Sequence, residues 1–154
     1  MWTVVVRYDG ESIHLVSDES PRVDAATHQS HFPTRATRRM LAARPILDRT
    51  LVHIADVTRD PDVNQEAMAA FGIRAFLGVP MAQGGRPIGS INISKDSAGP
   101  FAPQQVALLR TFADQAVIAI ENVRLFKELR GAQPRAYSSA RQGNCDGRNL
   151  EGDQ

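Results

Sequence analysis

The chain opens on an alternation of period two. Trp2 to Tyr8 is rich in β-branched and aromatic residues and predicts a strand, Asp9-Gly10 supplies a turn, and Ser12 to Ser17 predicts a second strand that completes a hairpin. Pro21 to Pro33 is polar and rich in breakers, which predicts a loop with at most one helical turn. Ala36 to Ala43 holds helix formers and an Arg38-Arg39 face. It predicts a short helix that stops near Pro45, because the residue before a proline is pushed out of the helical region. Leu51 to Val57 alternates again and predicts a third strand, followed by a polar turn over Thr58 to Asp62. Asn64 is placed to cap a helix through Ala70, and Gly72 to end it. Arg74 to Ala82 and Pro87 to Ser94 predict two further strands. They flank Gln83-Gly84-Gly85-Arg86, whose paired glycines suit the positive φ angles of a tight hairpin.

At Pro103 the period changes to that of a helix, which runs to about Leu129, with proline in the first turn where no backbone donor is lost. Val106, Leu109, Ala113, Ala116, Ile120 and Val123 form one apolar stripe, and Leu108, Phe112, Ala119, Phe126 and Leu129 form a second beside it. One domain face uses one stripe, so the second predicts a partner, with a homodimer through this helix as the expectation. From Gly131 the periodicity is lost and Gly, Arg, Asn, Ser and Gln dominate. Residues 1–129 are therefore expected to form the domain and 130–154 a disordered tail, with too little apolar surface to offset the entropy of ordering.

Strands and helices in this order describe an α+β fold, an antiparallel sheet of about five or six strands with helices on its faces and a long C-terminal helix. The 154 residues suit one domain. Eighteen basic against 17 acidic side chains leave a formal charge of +1, which gives no general attraction to nucleic acid or anionic lipid. No apolar run approaches the roughly 20 residues a membrane helix needs, and no basic leader precedes the first strand. A single cysteine, Cys145, excludes an internal disulfide and two-cysteine redox chemistry within the chain, and suits a cytoplasmic setting. No phosphate-binding glycine loop, nucleophile elbow or kinase signature is present.

Leu77-Gly78-Val79-Pro80-Met81, the glycine hairpin, Ile88-Gly89-Ser90-Ile91-Asn92-Ile93, and Phe101-Ala102-Pro103 leading into Ala116 to Asn122 together resemble the C-terminal half of GAF domains. Arg7-Tyr8-Asp9-Gly10 and Val52 to Val57 extend the resemblance over about residues 2–129. It implies a small-molecule-sensing, dimerising module of a bacterial signal-transduction protein, of the sensor histidine kinase type, noncatalytic in itself. A stand-alone GAF enzyme or redox protein, or an inactive gene remnant, are the alternatives. GAF domains usually begin with a helix beside the final one, and here Met1 lies almost at the first strand, so that helix is expected to be missing. Ser94-Lys95 and Phe101 match part of a pattern found in cyclic-nucleotide-binding relatives, but Gln105-Val106 replaces its acidic pair. No cysteine lies in the domain, so no covalent bilin is expected, and the cofactor, if there is one, is unnamed. The tail carries a further expectation. Codons spelling Gln133 to Tyr137 give, one base later, asparagine, arginine, glutamate, leucine and threonine, as in a kinase linker, so the segment is expected to be out of frame and the chain a truncated fragment.

Within this frame the candidate ligand-binding residues are Asp56, Phe71, Arg74, Phe76, Ser90 and Asn92. Ser90, Asn92 and Ser94 alternate with Ile91 and Ile93, so one sheet face is polar there; it either faces water or supplies the few hydrogen-bonding groups an apolar cavity needs. Phe71, Arg74 and Phe76 offer an aromatic wall and a guanidinium, against the alternative of core packing and a solvated charge. Asp56 reaches ligand through water or caps the turn at Thr58. His28 and His31 lack a third ligand at metal spacing, and no catalytic residue or metal site is assigned.

Overall fold

A computed structural model describes residues 1–22 and 24–131. They divide into a compact unit, Met1–Ile120, and a second that begins at Glu121. The expectations for the tail beyond Gly131 lie outside the described residues.

Six strands form one antiparallel sheet: β1 (Trp2–Tyr8), β2 (Ser12–Asp18), β3 (Thr34–Arg35), β4 (Val52–Ile54), β5 (Ala75–Gln83) and β6 (Arg86–Lys95), in the order β3-β2-β1-β6-β5-β4. The β1–β2 turn is built by Asp9, whose Oδ1 accepts the N–H groups of Glu11 (3.0 Å) and Ser12 (2.8 Å). His14 Nε2 lies 2.6 Å from its other oxygen, and this contact, ahead of the turn N–H groups, holds the Asp9 carboxyl well below the usual carboxylate range. The β5–β6 hairpin turns on Gly84 and Gly85, both at positive φ (55° and 79°), where a side chain would be strained.

The helices are α1 (Ala25–Ser30), α2 (Arg44–Asp48), α3 (Gln65–Phe71) and α4 (Pro103–Gly131). Asn64 caps α3, its Oδ1 accepting from Ala67 N–H at 3.2 Å, and Gly72 ends it at φ 68°. Two expectations are corrected. The segment 36–43 is not an α-helix: after a loop, a short 3-10 turn at Leu41–Ala43 leads into α2, and Pro45 sits at the start of that helix rather than beyond its end. A proline in the first turn forfeits no intrahelical bond, so Pro45 opens a helix here. The loop Pro21 to Pro33 holds a six-residue helix, α1, and is followed by the short strand β3.

The first turns of α4 cover one sheet face, where Leu77, Val79, Ile91 and Ile93 pack with Leu109 and Ala113. The other face carries two clusters under the 3-10 turns, α2 and α3. Phe76 packs with Leu41, Val57, Val63 and Met68, and Val6 and Ile13 pack with Ala43 and Ile46. Along α4 the coverage is brief. Val106, Ala116 and Val117 are partly buried, while Leu108 and Phe112 are each 55% exposed and Ile118 and Ile120 are also exposed. In the second unit Val123, Leu125, Phe126 and Leu129 are exposed, and Arg124 pairs with Glu128 at 2.7 Å. No helix among the described residues is long and apolar enough to cross a membrane.

Candidate functional site

Strand alternation places Ser90 and Asn92 on the face opposite α4, and both are buried, at 0% and 2% exposure. Ser90 Oγ donates to Ala42 O at 2.8 Å, tying β6 to the chain that enters α2. Asn92 Nδ2 donates to Ser90 Oγ (2.9 Å) and to Val4 O (3.2 Å) on the neighbouring strand. Asn92 Oδ1 accepts no hydrogen bond among the described residues. Ser94, on the same face, is also buried.

The other candidates lie towards β4 and α3. Val57 N–H donates to Arg74 O at 2.9 Å, which brings Asp56 beside Arg74. Asp56 Oδ1 accepts from Thr58 N–H (3.1 Å) and Thr58 Oγ1 (2.7 Å), and its Oδ2 lies 3.3 Å from Arg74 Nη2 and 3.8 Å from Arg59 Nε. The Thr58 hydroxyl, then the Thr58 N–H and Arg74, hold its carboxyl below the ordinary range, opposed by burial. Asp56 therefore caps the turn at Thr58 and also pairs with a guanidinium that is itself exposed. Phe76 is a core residue, at 2% exposure. Phe71 is half-buried, its ring centroid 4.9 Å from that of His28. The structure thus brings Ser90 to Asn92 and Asp56 to Arg74, and places the two phenylalanines in separate packing roles.

Several polar contacts were not singled out by sequence. His28 pairs with the buried Asp18, fixing α1 on β2. Arg44, 6% exposed, directs Nη1 and Nη2 to Asp60 at 2.5 and 3.2 Å and donates Nε to Arg38 O at 2.6 Å. The Arg44 guanidinium keeps the Asp60 carboxyl below its ordinary range, opposed by burial. Sixteen residues separate that pair, so no local spacing signals it. His53 Nε2 accepts Phe101 N–H at 2.9 Å, and Lys95 Nζ stands 4.9 Å from the Phe101 ring, which explains Lys95 and Phe101 as fasteners of the β6–α4 connection. Among the described residues no three His, Cys, Asp or Glu side chains gather as a metal site.

Two surface depressions lie elsewhere on Met1–Ile120. One, of about 430 Å³, is bordered by Tyr8, Leu47, Arg49 and Arg86 at the hairpin end of the sheet; the other, of about 280 Å³, by Leu51, Pro80, Arg110 and Asp114. Neither is lined by Ser90 or Asn92.

An antiparallel sheet with a long closing helix on one face and short helices over a buried polar patch on the other is an α+β architecture. The family profile of the GAF domain matches residues 2–121, and the chain belongs to that family. Solved structures share the fold at low identity. A domain described as that of a putative two-component sensor histidine kinase protein from Sinorhizobium meliloti 1021 is 17% identical with a TM-score of 0.67, covering 84% of this chain and 85% of that one. The GAF domain of a phosphoenolpyruvate-protein phosphotransferase from Coxiella burnetii is 16% identical, with a TM-score of 0.68 and coverage of 86% and 76%. The free methionine-R-sulfoxide reductase from Neisseria meningitidis, solved with its substrate, is 19% identical, with a TM-score of 0.65 and coverage of 80% and 69%. No curated protein sequence matches the chain.

Proposed function

We propose that this GAF domain is the signal-input module of a bacterial signal-transduction protein of the sensor histidine kinase type. It takes a small molecule on the α2-covered face of the sheet and pairs with a second copy through α4, and it catalyses no reaction itself. The observation that carries the reading is Asn92 Oδ1, a buried acceptor with no described partner, beside the buried Ser90 hydroxyl. Buried polar groups are nearly always paired in a folded protein, so an unpaired one marks a place where a ligand has something to offer. Dimerisation is supported by the half-exposed Leu108 and Phe112 on the first part of α4 and by the exposed Phe126 and Leu129 on the last.

The reductase among the structural neighbours keeps an enzymatic alternative in view. Residues 1–131 contain no cysteine, so thiol chemistry on this face has no nucleophile. A thermal-unfolding screen against nucleotides, haem, bilins and small acids, with sedimentation analysis of the free chain, tests the proposal. A specific ligand stabilises by about 2.7 kcal/mol at a hundredfold excess over its dissociation constant. Turnover of a screened compound would favour the enzyme, and a monomer that binds none of them would favour an inactive remnant.

A further inference from the structure

Helix α2 stands where a ligand would meet Ser90 and Asn92. Pro45 is fully buried, and a Cβ built on Gly78 would lie 2.6 Å from Pro45 Cγ and 2.6 Å from Asn92 Oδ1. Gly78, Pro45 and the Asn92 carboxamide therefore meet at one point, with Phe76 Cζ 2.8 Å from the same position. The amide cannot be turned over to cure its unpaired oxygen, because Nδ2 donates to the carbonyl of Val4 and a flipped oxygen would face that carbonyl. The nearby proline has no N–H to give. In this arrangement the cost of an unpaired buried acceptor is borne by the folded chain.

The segment that imposes that cost is short, a five-residue helix. No side chain caps the first turn of α2, and Arg49 at its other end is left-handed, at φ 54°, a conformation that disfavours a side chain. Polar ties hold it instead. Arg44 is bound to Asp60 and to Arg38 O, Arg38 pairs with Asp48, and Ser90 holds Ala42 O. None of these is a strand-pairing bond, so α2 can lift while the sheet ladders stay intact.

We propose that α2 is a displaceable wedge seated in the ligand's place. The ligand is a small molecule with a compact apolar body that replaces Pro45 and Ile46, neutral where it meets the sheet, with an N–H or O–H donated to Asn92 Oδ1. This rests on the covered face being the ligand seat. Neutrality follows from what surrounds the acceptor: Ser90, Gly78, Phe76 and Pro45 carry no charge, and the nearby Arg44 is already paired with Asp60.

The experiment places one thiol under the wedge without cutting any polar tie, as Val6→Cys beside Ile46 in a Cys145→Ser chain, and measures N-ethylmaleimide labelling against amide exchange at Leu77 and Ile93. Labelling is expected to outrun exchange of those core amides, and Asp60→Asn, which weakens the tie to Arg44, is expected to speed it roughly tenfold. Benzamide, which carries an N–H donor on a flat apolar ring, is expected to slow labelling saturably. Toluene, which has no donor, is not, and Asn92→Leu should erase the difference. Labelling no faster than core exchange, with or without Asp60→Asn, overturns the wedge; the ligand-seat reading still stands in that case if a screened compound raises the unfolding midpoint and fails to do so in Asn92→Leu. Equal slowing by benzamide and toluene overturns the donor chemistry. If the thiol variant does not fold, amide exchange at Ile46 and Leu47 relative to Leu77, in the otherwise unaltered chain with and without Asp60→Asn, decides the same question.

Discussion

Alanine at Gly78 and alanine at Gly89 crowd the same sheet against very different neighbours. At Gly78 the added methyl would meet Pro45 Cγ and Asn92 Oδ1 at 2.6 Å and Phe76 Cζ at 2.8 Å. Carbon contacts are comfortable at about 3.5–4.0 Å, so each neighbour must retreat by roughly 1 Å. All three are side chains, and one belongs to a helix held by polar ties. Overpacking of this kind costs about 1–3 kcal/mol, offset by about 0.4–1 kcal/mol because alanine restricts the unfolded chain, which leaves about 1–2 kcal/mol. For a domain of this size that is roughly a 3–10 °C fall in the unfolding midpoint. At Gly89 the methyl would lie 2.3 Å from Val6 O and 3.3 Å from Arg7 Cα, backbone atoms of the strand paired with β6. Met81 Cε, 2.7 Å away, can swing aside, but the Val6 carbonyl cannot retreat without breaking the ladder, so Gly89→Ala should cost about 3 kcal/mol or more. Urea unfolding of both variants, with amide exchange resolved along the chain, provides the assay. Gly78→Ala should accelerate exchange in α2 while β5 and β6 keep their protection. The reasoning is refuted if the Gly78 variant is as stable as the parent, or if it loses as much as the Gly89 variant with protection falling evenly across the sheet.

At the ends of α3, Asn64→Ala removes the cap on Ala67 N–H and should cost about 1 kcal/mol by chemical denaturation. Gly72→Ala places a methyl at φ 68° against the Arg22 side chain, which can swing aside, so the left-handed backbone sets the cost, also about 1 kcal/mol. The Asp60 carboxyl is held below its ordinary value of 3.8 when folded, so its contribution to stability is complete above that pH and is lost as pH falls through the lowered value. Asp60→Asn should therefore lower stability at neutral pH and flatten the decline below about pH 4, as followed by urea midpoints across pH. On α4, Leu108→Ser with Phe112→Ser removes two half-exposed apolar groups from each copy. At about 1 kcal/mol each, or about 4 kcal/mol over both copies, the proposed dimer should weaken roughly a thousandfold by sedimentation, with little change in the stability of the isolated domain.

The features legible from sequence are those decided by neighbours along the chain. The Gly84-Gly85 turn, the Asn64 and Gly72 caps and the shared parity of Ser90 and Asn92 all follow from local backbone rules, and the structure places them as those rules require. Pro45 defeats such rules because the same residue can end one helix or begin the next; here it lies in the first turn of α2, with its ring beside Gly78, more than thirty positions away. The polar parity of β6 shows that Ser90 and Asn92 share a face, but does not tell water from a covering helix. On α4 the spacing marks Ile120 as a member of the stripe that includes Leu109, yet Leu109 is buried and Ile120 is exposed. Period describes which side of a helix a residue occupies, whereas burial depends on where the sheet beneath it stops.

The same alternation gives the proposed sensor its mechanics. Asn92 lies under α2, and its immediate neighbours Ile91 and Ile93 point through to the opposite face, where they pack with Leu109 and Ala113 of α4. On β5, Gly78 meets Pro45 while Leu77 and Val79 join the α4 cluster. The space vacated by α2 and the grip on the first turns of α4 are thus separated by the thickness of a single sheet. On this proposal a ligand that holds α2 out would relieve a contact on Gly78, and β5 and β6 would respond as pleated units, because a rotation that moves one residue inward moves its neighbours outward. No long relay of side chains is required. Coupling between seat and helix needs only that the two α2 positions favour slightly different strand twists, and its size is bounded by the ligand's preference for one over the other.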